Sequence, residues 1–378
     1  MKIKQELFID GKWTNKSESE GFDKSACQIV LAFCGKEQLI LSNIRTIKGN
    51  YTNAKVISAT TAGEVLGDEL YEGSIALTAI QFEKTEAKVL YANIKSFSGS
   101  YPLGKKLTAL MPPKGLQYIL VISDGNLVNG TELVAGISSS NKIGALITGG
   151  MAGDGARFVS TLVGVDENIS EGNVALIGLY GDNIKIGHGS LGGWDEFGLE
   201  RTITKSEKNV LHEMDGKNAL ELYKEYLGPY VDELPSSALL FPLSIKKTDS
   251  KESNVRTIFS IDEEKQSMTF AGNMPEGSKV RLMKANFDKL ISAAGTAADR
   301  SLINLERKPD LALLISCVGR KIILNERVEE ELEQAKAILG TEVFITGFYS
   351  YGEISPIVER ARCELLNQTM TITTFTEF

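Results

Sequence analysis

The sequence predicts an α+β protein of two domains, built from three related strand–helix–strand–hairpin units whose mixed or antiparallel sheets are flanked by helices. Three observations predict it. A short signature recurs three times: Ile57-Ser58-Ala59 before Gly63-Glu64, Ile147-Thr148-Gly149 before Gly153-Asp154, and Ile345-Thr346-Gly347 before Gly352-Glu353. An apolar run ending in glycine precedes each one, at 28–35, 117–125 and 311–319. A further apolar strand follows each one, at 74–77, 173–176 and 370–375. Short runs rich in Val, Ile, Leu and Phe read as buried strands. Self-similarity in fixed order implies duplication, and its irregular spacing favours a packed globule over a solenoid. Glycine in each signature lets backbone approach closely, so the three segments are expected as strand-end loops around one or two pockets.

The elements follow in order. Residues 1–26 are polar and are expected as an N-terminal arm. The N-terminal domain then spans 27–216 and holds two copies. Gly99, Gly104, Pro112 and Pro113 mark 96–114 as a connector between them. A glycine-rich stretch at 189–194 precedes an alternating strand at 199–204. Asp215 is placed to cap a helix through Ala219, Leu220, Tyr223 and Leu227, stopped by Gly228-Pro229. The boundary falls near Lys217, and the C-terminal domain spans 217–378. It opens with a β-rich insert at 235–285, whose strands lie at 238–245, 255–261, 267–271 and 279–283. Asp262-Glu263-Glu264-Lys265 reads as a hairpin turn within it. The third copy closes the chain. Its helix is the clearest, with Val328, Leu332, Ala335 and Leu339 at helical spacing and Gly340 as the stop.

Composition narrows the function. A chain of 378 residues can bury a sizeable core in each domain. Its net charge of −8 and lack of a basic stripe argue against nucleic acid as a partner. No run of about 18 apolar residues predicts a membrane span. The start, Met1-Lys2-Ile3-Lys4-Gln5-Glu6, has no signal-peptide core. Four scattered cysteines, Cys27, Cys34, Cys317 and Cys363, suit a reducing cytoplasm and form no zinc motif.

Several segments together resemble the FIST family. They are Gly149-Gly150-Met151-Ala152-Gly153-Asp154, the stretch 189–194 with Thr202 and Thr204, Ser316-Cys317-Val318-Gly319-Arg320, and Gly347-Phe348-Tyr349-Ser350-Tyr351-Gly352-Glu353-Ile354. The resemblance covers about 28–375 and both family domains. It implies a sensory domain for a small ligand, with amino acids the usual proposal. Members are often fused to signalling outputs. No kinase, cyclase or chemoreceptor segment is seen here, so the resemblance implies output through a separate signalling protein.

Candidate site residues each carry two readings. Arg320 follows a buried strand and clamps a ligand carboxylate, or makes a structural salt bridge. Glu353 holds an ammonium group, or bonds loop amides. Together they would suit a zwitterion. Tyr349 and Tyr351 flank Ser350, and either lines a pocket or packs in the core. Asp154 contacts the ligand, or, like Glu64, bonds local amides, as acids after glycine do in turns. Gly150 and Met151 line a variable pocket, or Met151 fills core. Trp194 is a lid or a plug.

Cys317 is a ligand contact, a nucleophile, or a buried thiol. A catalytic cysteine needs a base, and the only histidines, His188 and His212, sit in no recognisable pairing. No nucleophile elbow, P-loop or dinucleotide fingerprint is present, and no metal or other cofactor is expected. The leading expectation is therefore a non-catalytic, cytoplasmic small-ligand sensor. An enzyme using Cys317 and a ligand-free interaction scaffold are the alternatives.

Overall fold

The structure is a computed structural model that describes residues 1–234, 236–248, 252–303, 305–357 and 362–378. It is α+β, and three of its sheets share one inner order. Ile29–Cys34 and Lys55–Thr60 run parallel, with Ile75–Gln81 antiparallel on the other side of the first strand. Leu116–Ser123, Leu146–Met151 and Asn173–Tyr180 repeat that arrangement. So do Leu311–Cys317, Phe344–Ser350 and Met370–Glu377. A parallel pair needs a crossover. The helices Glu37–Asn50, Gly130–Ser140 and Val328–Leu339 lie in those crossovers. Each buries one stripe, with Ile40, Ile44 and Ile47 in the first and Leu133, Val134 and Ile137 in the second. In the third, Val328, Leu332, Ala335 and Leu339 face inward, and Glu329 and Glu330 favour the positive end of the helix dipole.

The hairpin after each signature pairs with the signature strand of another sheet. Val163–Val165 adds to Lys55–Thr60, Gly352–Pro356 to Leu146–Met151, and Glu64–Leu66 to Phe344–Ser350. The exchange runs in a ring and interleaves the chain across the expected 216/217 boundary. Ile184–Leu191 also crosses it, pairing with Met370–Glu377. Aromatic side chains fill the space where the three sheets meet. The Phe33 and Phe348 rings lie 4.6 Å apart, and Tyr118 meets Phe375 edge-on at 5.3 Å.

The signature glycines serve this packing. A Cβ at Gly149 would stand 2.0 Å from the Val121 carbonyl oxygen, and one at Gly347 1.8 Å from that of Leu314. The close approach expected for a ligand is thus made by a neighbouring strand. The acids behave alike too. Glu64 accepts from Thr61 Oγ1 at 2.5 Å and Ser74 Oγ at 2.8 Å. Glu353 accepts from Ser350 Oγ at 2.7 Å and Thr369 Oγ1 at 2.9 Å.

Several expectations are corrected. Residues 1–26 are no arm: Lys2–Ile9 and Lys12–Glu18 complete the first sheet, with Lys2–Ile9 antiparallel to Ile75–Gln81. Ile3, Gln5 and Leu7 point inward, and Gln5 donates to the Ile345 carbonyl at 2.8 Å. The connector 96–114 contains the helix Ser100–Ala109, and Gly104 lets it lie against Gly130–Ser140. The cap of Ala219–Leu227 is Asn218, whose side chain accepts from the Glu221 amide; Asp215 instead pairs with Arg201.

The β-rich region begins earlier than expected, at Asp195–Glu207. That strand sits inside an eight-stranded sheet with Val210–Met214, Leu243–Lys246, Asn254–Arg256, Ile258–Asp262, Ser267–Phe270 and Lys279–Lys284, while Lys217–Asn218 pairs off its path. Residues 235 and 249–251 of the expected insert lie outside the described residues. Asp262 accepts the Glu264 and Lys265 amides in the turn where a hairpin was expected. A further helix, Phe287–Ser301, has no counterpart in the sequence reading; Gly187 and Gly189 let it lie close to Ile184–Leu191. Among the described residues no helix is long and apolar enough to cross a membrane.

Candidate ligand cavity

A cavity of about 750 Å³ opens where the eight-stranded sheet meets the three-sheet body. Its walls come from the loop 125–130, from Thr257 to Phe259 and Phe270 to Gly272 on the eight-stranded sheet, from Cys317 to Gly319, and from Met151, Tyr351 and Asn367. Asp124 builds the first wall. Its Oδ1 accepts the Asn126 amide at 2.9 Å and the Leu127 amide at 2.5 Å, and its Oδ2 accepts from Thr161 Oγ1 at 2.8 Å. This turn delivers the chain to Asn129, which caps Gly130–Ser140 through the Glu132 amide.

The second wall is aromatic. Tyr351 stacks on Phe158 with ring centroids 4.6 Å apart, and Phe158 meets Phe259 edge-on at 5.1 Å. The Tyr351 hydroxyl donates to Asp154, which also accepts the Phe158, Val159 and Ser160 amides. Burial works against ionisation of Asp154, but the Ser160 amide, the Tyr351 hydroxyl and the other amides outweigh it and hold its pKa below the ordinary range. Burial, reinforced by Asp154, pushes the Tyr351 phenol up. Asp154 thus stands behind Tyr351 and fixes its ring.

The structure brings Met151, Cys317 and Tyr351 together at this cavity and places the other expected residues elsewhere. Arg320 is fully buried. Its Nε and Nη2 donate to Glu331 Oε2 at 3.0 and 2.7 Å, its Nη1 to the Gly192 carbonyl at 2.6 Å, and its Nη2 to the Leu290 carbonyl at 2.7 Å. A longer contact from Nη1 reaches the Gln368 carbonyl at 3.5 Å. All five N–H groups are used, so none is left for a ligand carboxylate. Tyr349 belongs to the same network, donating to Glu331 Oε1 at 2.7 Å. Trp194 donates to the Gln368 carbonyl at 3.0 Å and acts as a plug. A Cβ on Gly150 would stand 2.7 Å from the Ile315 side chain, so this glycine serves packing between sheets.

Glu353 is also fully buried and bonds the turn at Thr369. Burial raises its pKa to about 8, against the pull of its hydrogen bonds. Burial likewise drives the Cys317 thiol well above its ordinary value, with Glu353 adding to the shift. The thiolate that nucleophilic chemistry needs is therefore disfavoured. Among the described residues no cluster of three or more His, Cys, Asp and Glu is arranged to hold a metal ion.

Sequence reasoning missed Asn367, Phe158 and Phe259. Asn367 is fully buried, and among the described residues neither its Oδ1 nor its Nδ2 has a hydrogen-bond partner. The next side chain, Gln368, is also buried and unpaired, on a backbone with φ of 61°. Gly319 makes room for it: a Cβ there would lie 2.4 Å from Gln368 Nε2.

Two family models match this chain in succession. The FIST N domain model matches 28–217, half of the chain, and the FIST C domain model matches 219–356. The chain belongs to the FIST family. FIST domains are sensory domains that bind small ligands. A protein of Methanocaldococcus jannaschii named Uncharacterized protein MJ1623 is 25% identical over 209 residues, which is 49% of this FIST chain and 37% of that relative. The Cys317–Arg320 and 189–194 segments that carry the FIST resemblance meet at the Arg320 network, and the segment from Gly347 to Ile354 supplies Tyr351 to the cavity.

Proposed function

We propose that this chain is a sensor whose small ligand occupies the cavity between the eight-stranded sheet and the three-sheet body. The observation that carries the reading is the cavity itself. Its volume of about 750 Å³ lies in the range of small-molecule sites, and it joins an aromatic wall to a buried amide without partners. A ligand there touches both layers at once, so occupancy favours one relative placement of the two over others. A separate signalling protein would read that placement. Four free, buried cysteines accord with a reducing, cytoplasmic setting.

The amino-acid class implied by family resemblance loses its proposed anchors, because Arg320 and Glu353 are committed to protein partners. In the loop 125–130 the Gly125, Asn126, Leu127 and Asn129 amides already bond Thr161, Asp124 and Ser100, so they offer a ligand carboxylate no donor. Arg256, the buried cation behind Gly272, donates to the carbonyl oxygens of Val255, Leu365 and Asn273.

The test is a thermal-shift screen of the full chain against amino acids, organic acids and neutral metabolites. A ligand at a hundred times its Kd adds about 2.7 kcal/mol of stability. The hit should lose its effect in Ala271→Phe, which fills the cavity from the eight-stranded sheet. A hit that stabilises Ala271→Phe as strongly as the parent protein would place the site elsewhere.

A further inference from the structure

We propose that Asn367 reads the ligand through a paired hydrogen-bond donor and acceptor, so that the cavity takes an uncharged carboxamide or lactam on an aromatic or apolar body. The inference rests on the cavity being the ligand site and adds the ligand's chemical class. No Asp, Glu, Lys, Arg or His is among the described residues lining the cavity. The nearby charges are engaged: Asp154 with Tyr351 and loop amides, Arg157 with Asp154, and Arg256 with backbone carbonyls. A zwitterion or carboxylate would therefore enter without a countercharge at the wall.

Asn367 supplies the specific element. A primary amide carries a donor and an acceptor side by side, and its complement is another amide edge. Both atoms are unpaired and closed off from solvent, a destabilising feature that a bound molecule would relieve by drawing the Asn367 side chain toward the cavity. The adjacent Gln368 holds a positive φ and a second unpaired amide, so the turn concentrates two features that detract from stability. The remaining walls suit a flat apolar body. Leu127, Phe158, Phe259 and Ile322 are all exposed large apolar side chains, and all line this cavity. The Tyr351–Phe158 stack offers a ring face beside them.

The test is calorimetric titration of the full chain with matched pairs at neutral pH: benzamide against benzoate, and nicotinamide against nicotinate. At least one amide should bind, and its acid should bind at least about tenfold more weakly. Asn367→Leu should lose about tenfold or more in amide affinity while its Tm holds or rises, because an unpaired amide has been replaced by an apolar group. Asn367→Ala, which removes both donor and acceptor, should also lose amide affinity. Absence of amide binding, equal or tighter binding of the acids, unchanged affinity in both Asn367 variants, or a Tm lowered by several degrees in Asn367→Leu would each overturn the proposal. An acid that binds the parent protein at least as tightly as its amide, and does not bind Ala271→Phe, would overturn the amide class and leave the cavity as the ligand site. If neither these pairs nor the metabolite screen gave binding sensitive to Ala271→Phe, both readings would fall.

Discussion

A guanidinium without solvent contact has to find its acceptors inside the fold, and Arg320 finds them on Glu331, Gly192, Leu290 and Gln368. Removing one partner of such a buried pair strands the other charge. Arg320→Ala should therefore cost about 3–5 kcal/mol in chemical denaturation, with Glu331→Gln destabilising in the same direction. Ligand affinity of the protein that remains folded should be unchanged; a selective loss of affinity at constant stability would restore Arg320 as a ligand clamp. Cys317→Ala should keep fold and ligand affinity nearly intact, and the thiol should alkylate slowly near neutral pH. Turnover of a metabolite abolished by Cys317→Ala would overturn the non-catalytic reading.

Two buried acids make stability depend on pH. Burial raises Glu353 to about 8 and Glu64 to about 7, both above the ordinary value of 4.5. Between those limits the folded state holds more protons than the unfolded chain, so their contribution falls as pH rises from about 4.5 through 8. Glu353→Gln should remove part of that fall. Its Tm relative to the parent protein should climb steadily across this window, whereas a difference independent of pH would show that Glu353 is ionised in the fold.

At the scale of elements, glycine sets how closely strands approach. Gly347→Ala should cost at least about 1–3 kcal/mol, the range for overpacking, because its Cβ would meet the Leu314 carbonyl. A denaturation midpoint unchanged by Gly347→Ala would contradict this. The same signature position is Ala59 in the first sheet, opposite Phe33.

The runs at 28–35, 117–125 and 311–319 were legible as strands because buried parallel strands are apolar on both faces. The exchange of hairpins was not, since the pairing of Glu64–Leu66 with Phe344–Ser350 is absent from any local pattern. Lys2–Ile9 hid its alternation because one inward residue, Gln5, is polar. The site divides in the same way. Met151 and Tyr351 stood out because they lie beside signature glycines, and Cys317 because it is a thiol at the end of an apolar run. Asn367 and Phe259 reach the cavity only through tertiary packing, and a single asparagine in a turn looks like turn chemistry.

At the scale of the molecule, one site is assembled from segments far apart in the chain. Loop 125–130 enters from the second sheet, Cys317 and Tyr351 from the third, and Thr257 and Phe259 from the eight-stranded sheet. Such a site can report occupancy only if the ligand touches the layers on both sides. The most direct test is a crystal structure of the full chain with the strongest hit of the thermal-shift screen. The expected result is the ligand lying against Tyr351 and Phe259, within hydrogen-bond distance of Asn367. A bound ligand elsewhere on the molecule, with this cavity empty, would contradict the account.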